Sequence, residues 1–141
     1  MIKERTLTIK ASLIKEMIDH LETDLPNEGC GYISGTNDEL KNLIKMTNVD
    51  QSPEHFTFNP KEQFAAVKEA RNKKEELLAV YHSHPETPAR LSEEDLKLFN
   101  DSKMAYIIVS FKDEKPDVKA YMVNKPSSEE LEVRRLTLDI T

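Results

Sequence analysis

Apolar positions along the chain switch between two periods, and the switches outline alternating strands and helices. Leu7-Thr8-Ile9-Lys10 alternates and predicts a short strand. Leu13, Ile14, Met17, Ile18 and Leu21 then recur at helical spacing, predicting a helix over Ala11 to Leu25 that Pro26-Asn27 closes. Glu28 to Ser34 reads as a strand, Gly35-Thr36-Asn37-Asp38 as a turn, and Leu40 to Met46 as the returning strand. Phe56-Thr57-Phe58 is a further short strand. Asn59-Pro60-Lys61-Glu62 is a strong helix start: Asn59 can cap, Pro60 suits the first helical position, and Glu62 can reach back. Phe64, Val67 and Ala70 supply that helix's apolar stripe. Leu77 to Tyr81 is a continuous apolar run of the kind a central strand shows. Ser92 opens another helix carrying Leu96 and Phe99. Ala105 to Phe111, Val118 to Val123 and Leu131 to Ile140 complete the strands. Strands and helices mixed in this way imply an α/β sandwich, with helices packed on a sheet.

Length and composition narrow the picture. A chain of 141 residues is one domain's worth, residues 1–141, with a single hydrophobic core. No repeat or long linker divides it. The net charge is −6, from 20 basic and 26 acidic residues, which argues against a nucleic-acid footprint. The nearest basic cluster, Arg71-Asn72-Lys73-Lys74, runs directly into Glu75-Glu76 and reads as a solvated helix end. No apolar run approaches membrane-spanning length, and Met1-Ile2-Lys3-Glu4-Arg5 lacks a signal-peptide core. Cys30 is the one cysteine, so no intrachain disulfide can form, as suits a reducing compartment. The expectation is a cytoplasmic protein without membrane or nucleic-acid partners.

The chemistry concentrates in Tyr81-His82-Ser83-His84-Pro85 and Leu91-Ser92-Glu93-Glu94-Asp95. Residues two apart on a strand share a face, so His82 and His84 leave the strand aimed at one point. Asp95, in the first turn of the next helix, is close enough in sequence to swing back as a third ligand. Two His and one carboxylate leave the open position that a catalytic zinc site keeps. A carboxylate is still needed to move protons, and Glu28, beside the small residues Gly29, Cys30 and Gly31, is the candidate. Each residue also has a plainer reading. Ser92 and Asp95 form a capping box, and Glu28 alone is a surface carboxylate. His20 reads as an exposed helical residue, His55 as a strand-edge residue, and Cys30 as a small buried apolar residue.

The combination is more specific than its parts. Glu28, His82-Ser83-His84, seven residues, Ser92, two residues and Asp95 resemble the JAMM (MPN-plus) motif of zinc isopeptidases. Pro26-Asn27-Glu28-Gly29-Cys30-Gly31, Phe58-Asn59-Pro60 and His84-Pro85-Glu86-Thr87-Pro88-Ala89 are similar to flanking segments of that family's prokaryotic branch. The resemblance covers residues 5 to about 125. It implies a cytidine-deaminase-like α/β/α sandwich with a mixed sheet. It implies His82, His84 and Asp95 as Zn2+ ligands, Glu28 as general base and then acid, and Ser92 as donor to the oxyanion. The implied substrate is a peptide or isopeptide bond after the C-terminal Gly-Gly of a ubiquitin-like or sulfur-carrier protein. Short members of the family release an amino acid or a peptide from such carriers. The alternative is a non-catalytic MPN-type module that binds a ubiquitin-like protein, but relatives of that kind have lost ligands that this chain keeps. A zinc deaminase would need a Cys-x-x-Cys pair, which a single cysteine excludes.

Overall fold

A computed structural model describes residues 4–141; Met1 to Lys3 of the N-terminal stretch lie outside the described residues. The element order is β1 (Thr6–Ile9), α1 (Ala11–Asp24), β2 (Cys30–Thr36), β3 (Glu39–Met46), α2 (Pro60–Asn72), β4 (Glu76–His84), α3 (Glu93–Leu98), β5 (Ala105–Ser110), β6 (Asp117–Ser127) and β7 (Glu130–Ile140). The fold is mixed α/β, as the periodicities predict. The sheet, however, is not the open middle layer of a sandwich. Its strands run β1-β3-β2-β4-β5-β6-β7 and close into a barrel, because β1 pairs with β3 along one edge and with β7 along the other. Closure removes both sheet edges. It follows from the long β6–β7 hairpin, which carries the chain back to β1, and a four-residue β1 does not advertise two partners.

Two apolar clusters pack on the sheet. One joins Leu13, Met17 and Leu21 of α1 to Leu7, Ile9, Ile33, Tyr81, Ile107 and Val109. The other joins Cys30, Tyr32, Met46, Val80 and Tyr106 to Ala66 of α2 and to Phe56 and Phe99. On α2 the predicted stripe is displaced. Ala66 and Ala70 face inward, whereas Phe64 is 64% exposed and Val67 is also exposed. Small residues let α2 lie close to the sheet, and the larger ones are turned out; Lys68 covers the Phe64 ring at 4.6 Å. Asn59 caps α2 as predicted, accepting from Lys61 N and Glu62 N. Glu62 does not complete the box. Its carboxylate accepts instead from Thr47 N and Thr47 Oγ1, at 2.7 and 2.8 Å, and so ties α2 to the end of β3. Phe56-Thr57-Phe58 makes no strand; only an isolated bridge between Asn48 and Phe58 forms there. The segment Arg71 to Lys74 is solvent-exposed, as its charge pattern predicts.

Two strand pairings position the chemistry. β2 and β4 are antiparallel, with Cys30 across from His82 and Gly31 across from Tyr81. β4 and β5 are parallel, with His84 beside Ser110. Tyr81 is fully buried, and its hydroxyl lies 2.6 Å from His20 Nδ1. His20 is therefore not the exposed helical residue expected, because its ring turns inward to meet that hydroxyl. Gly31 makes room for the tyrosine: a Cβ there would come within 2.3 Å of the Tyr81 ring. A ring that is buried and hydrogen-bonded cannot retreat cheaply. Gly31→Ala is accordingly expected to cost about 1–3 kcal/mol by overpacking. Urea denaturation measures this, and an unchanged midpoint would show that the ring has room to move.

Candidate active site

The end of β4 and the start of α3 bring three ligand-type side chains to one point. His82 and His84 leave the same face of β4, two residues apart. The loop through Pro88 returns the chain so that Asp95, in the first turn of α3, faces both rings. Asp95 Oδ1 lies 3.1 Å from His82 Nε2, and Asp95 Oδ2 lies 3.0 Å from His84 Nε2. The two Nε2 atoms are 3.1 Å apart. All three side chains are buried, and they are a group whose ligand atoms could hold a metal ion.

Local hydrogen bonds fix the orientation of each donor. His84 Nδ1 donates to the Pro88 carbonyl at 2.8 Å, so in the neutral ring Nε2 carries the lone pair. Ser92 N donates to Asp95 Oδ2 at 3.0 Å, and Asp95 N donates to Ser92 Oγ at 3.1 Å. The capping box is therefore real, and the same carboxylate also faces the two rings. The two readings of Asp95 describe a single conformation. His82 is held by packing instead: Phe56 lies 4.9 Å and Phe99 5.6 Å from its ring, centroid to centroid. Its buried Nδ1 has no hydrogen-bond partner among the described residues.

Glu28 arrives from the neighbouring strand. Continuing the β2–β4 register past Cys30–His82 puts Gly29 beside Ser83 and Glu28 across from His84. The backbone follows that course: Ser83 N donates to Gly29 O at 3.1 Å, and Gly29 N donates to Ser83 Oγ at 2.8 Å. The Glu28 carboxyl is buried, and its Oε1 has no partner among the described residues. It is not the surface carboxylate of the plainer reading. Sequence reasoning missed the residue that secures it. Asn48 Nδ2 donates to Glu28 O at 2.9 Å and to His55 O at 3.0 Å, while its Oδ1 accepts from Asp50 N and Thr57 N. Glu28 N in turn donates to Ser52 O at 2.8 Å. The 47–58 loop thus holds the Glu28 backbone on both sides and also lays Phe56 against His82. Asparagine in a polar loop gives no signal of this role. His55 is exposed and bonds Asp50, outside the cluster and off any strand. Cys30 is buried, as expected, and burial pushes its thiol well above the usual range.

Electrostatics separate the carboxyls. Burial pushes Glu28 up to about 8; His84 opposes this, while Asp95 and Glu54 add to it. Burial would raise Asp95 too, but His82, His84 and the Ser92 N–H together hold it well below the usual carboxylate range. Burial drives His82 toward its neutral form. It works against the charge on His84 as well, yet Asp95 and the Pro88 carbonyl raise that group. A low carboxylate beside a ring driven neutral is a donor set that fits a divalent cation of zinc type.

Two outcomes follow from this geometry. Asn48→Ala would leave the Glu28 carbonyl without its partner and is expected to cost about 1–3 kcal/mol; a wild-type urea midpoint would contradict it. In metal-free protein, Glu28 titrates above its unfolded value. The folded state then holds the extra proton, and this contribution to stability is lost as pH rises from about 4.5 to about 8. Glu28→Gln should flatten that slope in pH-dependent denaturation of the metal-free protein. An identical slope in the variant would place the titration elsewhere.

Comparison with known proteins agrees with the geometry. The family described as prokaryotic homologs of the JAB domain matches residues 10–124. A CysO-cysteine peptidase of Mycobacterium tuberculosis is 31% identical over 120 residues, covering 83% of this chain and 82% of the relative. A probable TtuB-protein conjugate cleaving protease of Thermus thermophilus is 35% identical over 92 residues, 64% of this chain and 62% of the relative. The solution structure of a Desulfitobacterium hafniense protein superposes with a TM-score of 0.84 at 35% identity, covering 96% of this chain and 92% of that one. No helix among the described residues is long and apolar enough to cross a membrane. With a family match across most of its length and a buried His-His-Asp cluster at the motif positions, this chain belongs to the prokaryotic JAMM/MPN (JAB) family.

Proposed function

We propose that this protein is a single-domain zinc peptidase that cleaves after the C-terminal Gly-Gly of a ubiquitin-like or sulfur-carrier protein, in the reducing cytoplasm that its lone Cys30 suits. The observation that carries the reading is the convergence of His82, His84 and Asp95 within 3.0–3.1 Å of one another, with buried Glu28 across from His84. The peptidase relatives supply the substrate class, since their names describe action on CysO-cysteine and on TtuB-protein conjugates.

His82, His84 and Asp95 would hold the zinc ion. When bound, zinc supplies Lewis-acid chemistry, acidifying water and polarising the scissile carbonyl. The remaining work belongs to this chain's own side chains. Glu28 takes a proton from the attacking water; its burial makes it a stronger base than an exposed carboxylate, and a cation nearby would favour its ionised form. The water oxygen joins the glycine carbonyl carbon, the C–N bond breaks, and Glu28 returns the proton to the departing amine. Ser92 Oγ accepts from Asp95 N, which leaves its O–H free to donate to the oxyanion. One such donor is worth about 3 kcal/mol. The family resemblance implies a narrow approach to the metal, which would suit a flexible tail of two glycines.

The test is intact-mass detection of cleavage. Zinc-loaded wild type and Glu28→Gln would each be incubated with small carriers extended past Gly-Gly by an amino acid or a peptide. Wild type should remove the extension. Glu28→Gln should bind zinc equally and turn over at least about a hundredfold more slowly. Full activity in the variant would remove Glu28 from the mechanism. Zinc binding without any cleavage would favour the non-catalytic module.

A further inference from the structure

The chain between His84 and α3 is irregular backbone, residues 85–92. It carries Pro85 and Pro88, which have no N–H to give. Side chains from the sheet hold it instead, and three successive carbonyls each accept from a different strand. Ser110 Oγ of β5 donates to Thr87 O at 2.5 Å. His84 Nδ1 of β4 donates to Pro88 O at 2.8 Å. The Tyr121 hydroxyl of β6 donates to Ala89 O at 2.7 Å. The donors share one face of the sheet: His84 pairs with Ser110 in the parallel β4–β5 register, and Tyr121 pairs with Tyr106, on the same face of β5 as Ser110.

The middle bond is the one that meets the cluster. Pro88 O keeps the neutral His84 ring protonated at Nδ1 and so leaves Nε2 to the other ligands. It can do this only if the carbonyls on either side hold still. Pro88 O also accepts from Arg90 N at 2.9 Å, but that contact lies within the loop and moves with it. Ser110 and Tyr121 are the ties to the sheet. The Ser110 hydroxyl is itself aimed, because its Oγ accepts from Lys112 N at 3.2 Å and its proton is left for Thr87. Its neighbour Phe111 donates N–H to His84 O at 3.0 Å, so the end of β5 holds the His84 backbone and the loop together. Ala89 is buried, and a buried carbonyl that loses its donor is costly, which makes the Tyr121 hydroxyl a firm anchor. Beyond Ala89 the chain enters α3 through Ser92, which sets the Asp95 carboxylate.

We propose that Ser110 and Tyr121 are positioning residues of the metal site, holding the 87–89 carbonyls so that Pro88 O keeps the His84 proton on Nδ1 and its Nε2 open to the ion. Neither side chain is a ligand; each acts through the loop. The proposal rests on the reading that His82, His84 and Asp95 hold zinc.

The experiment measures two quantities: zinc affinity, by competition with a chelator, and the exchange rate of the His84 Nδ1 proton, by 1H–15N NMR of the zinc-loaded protein. The variants are Ser110→Ala, Tyr121→Phe, the two combined, and Met17→Ala as control. Met17 is fully buried on α1 in the other apolar cluster, so its truncation lowers overall stability without touching the loop. Each single variant is expected to bind zinc about three- to tenfold more weakly, the net worth of one hydrogen bond. The double variant should lose about 10–100-fold, and its His84 proton should exchange at least about tenfold faster than in wild type. Met17→Ala should change neither quantity. If the double variant does not fold, the single variants carry the test. Unchanged zinc affinity or unchanged proton exchange in the Ser110 and Tyr121 variants would overturn the proposal and leave the metal reading intact. Equal changes in Met17→Ala would also overturn it, by reducing the ties to general stability. A wild type that binds no zinc through imidazole would remove both readings.

Discussion

The arrangement depends on one buried carboxylate shared between two imidazoles. Asp95 lies at 3.0 and 3.1 Å from the Nε2 atoms of His84 and His82, with almost no solvent access. A buried charge without partners is costly, and two imidazole nitrogens only 3.1 Å apart need a proton or a cation between them and the carboxylate. Each is tolerable only because the others are there, or because a cation is. The rest of the local structure serves that constraint. The Pro88 carbonyl sets the His84 ring, Ser92 sets the carboxylate, and Phe56 and Phe99 set His82. The side chains of His82, His84 and Asp95 are buried, where electrostatic interactions are stronger than in water.

The sheet extends this control to Glu28. Antiparallel pairing of β2 with β4 places the glutamate beside His84 from a strand more than fifty residues earlier in sequence. The close fit of Gly31 over Tyr81 keeps those strands in register, and Asn48 fastens the loop that holds the glutamate's backbone. The proposed base and the proposed metal ligands are thus tied together through the pairing of β2 with β4. Pre-organisation of this kind is what positioned proton transfer needs.

Much of this was legible in the sequence, and the failures have identifiable causes. The strands and helices followed from periodicity because long runs such as Leu77 to Tyr81 admit few alternatives. His82 and His84 could be placed together because strand geometry has a fixed period of two. Asp95 was ambiguous between cap and ligand, and in the structure a single rotamer caps α3 and faces both imidazoles. Closure of the barrel was hidden because β1 is short and pairs with the far end of the chain. The α2 stripe was right at Ala70 and wrong at Phe64 and Val67, which have helical spacing but are turned outward, while the smaller Ala66 fits against the sheet. Asn48 was invisible because its four hydrogen bonds are all to backbone groups, and the one that reaches the motif, to Glu28 O, spans 20 residues. His20 was misjudged for a similar reason, since its partner Tyr81 lies 61 residues away.

The central claim is that His82, His84 and Asp95 together hold a metal ion. X-ray absorption at the zinc edge of stoichiometrically loaded protein tests it most directly. The account predicts one zinc per chain, with two imidazole nitrogens at about 2.0–2.1 Å, carboxylate oxygen at about 2.0–2.2 Å, and no sulfur. A sulfur shell near 2.3 Å, which only Cys30 or a methionine could supply, would contradict it. So would an all-oxygen shell without imidazole scattering.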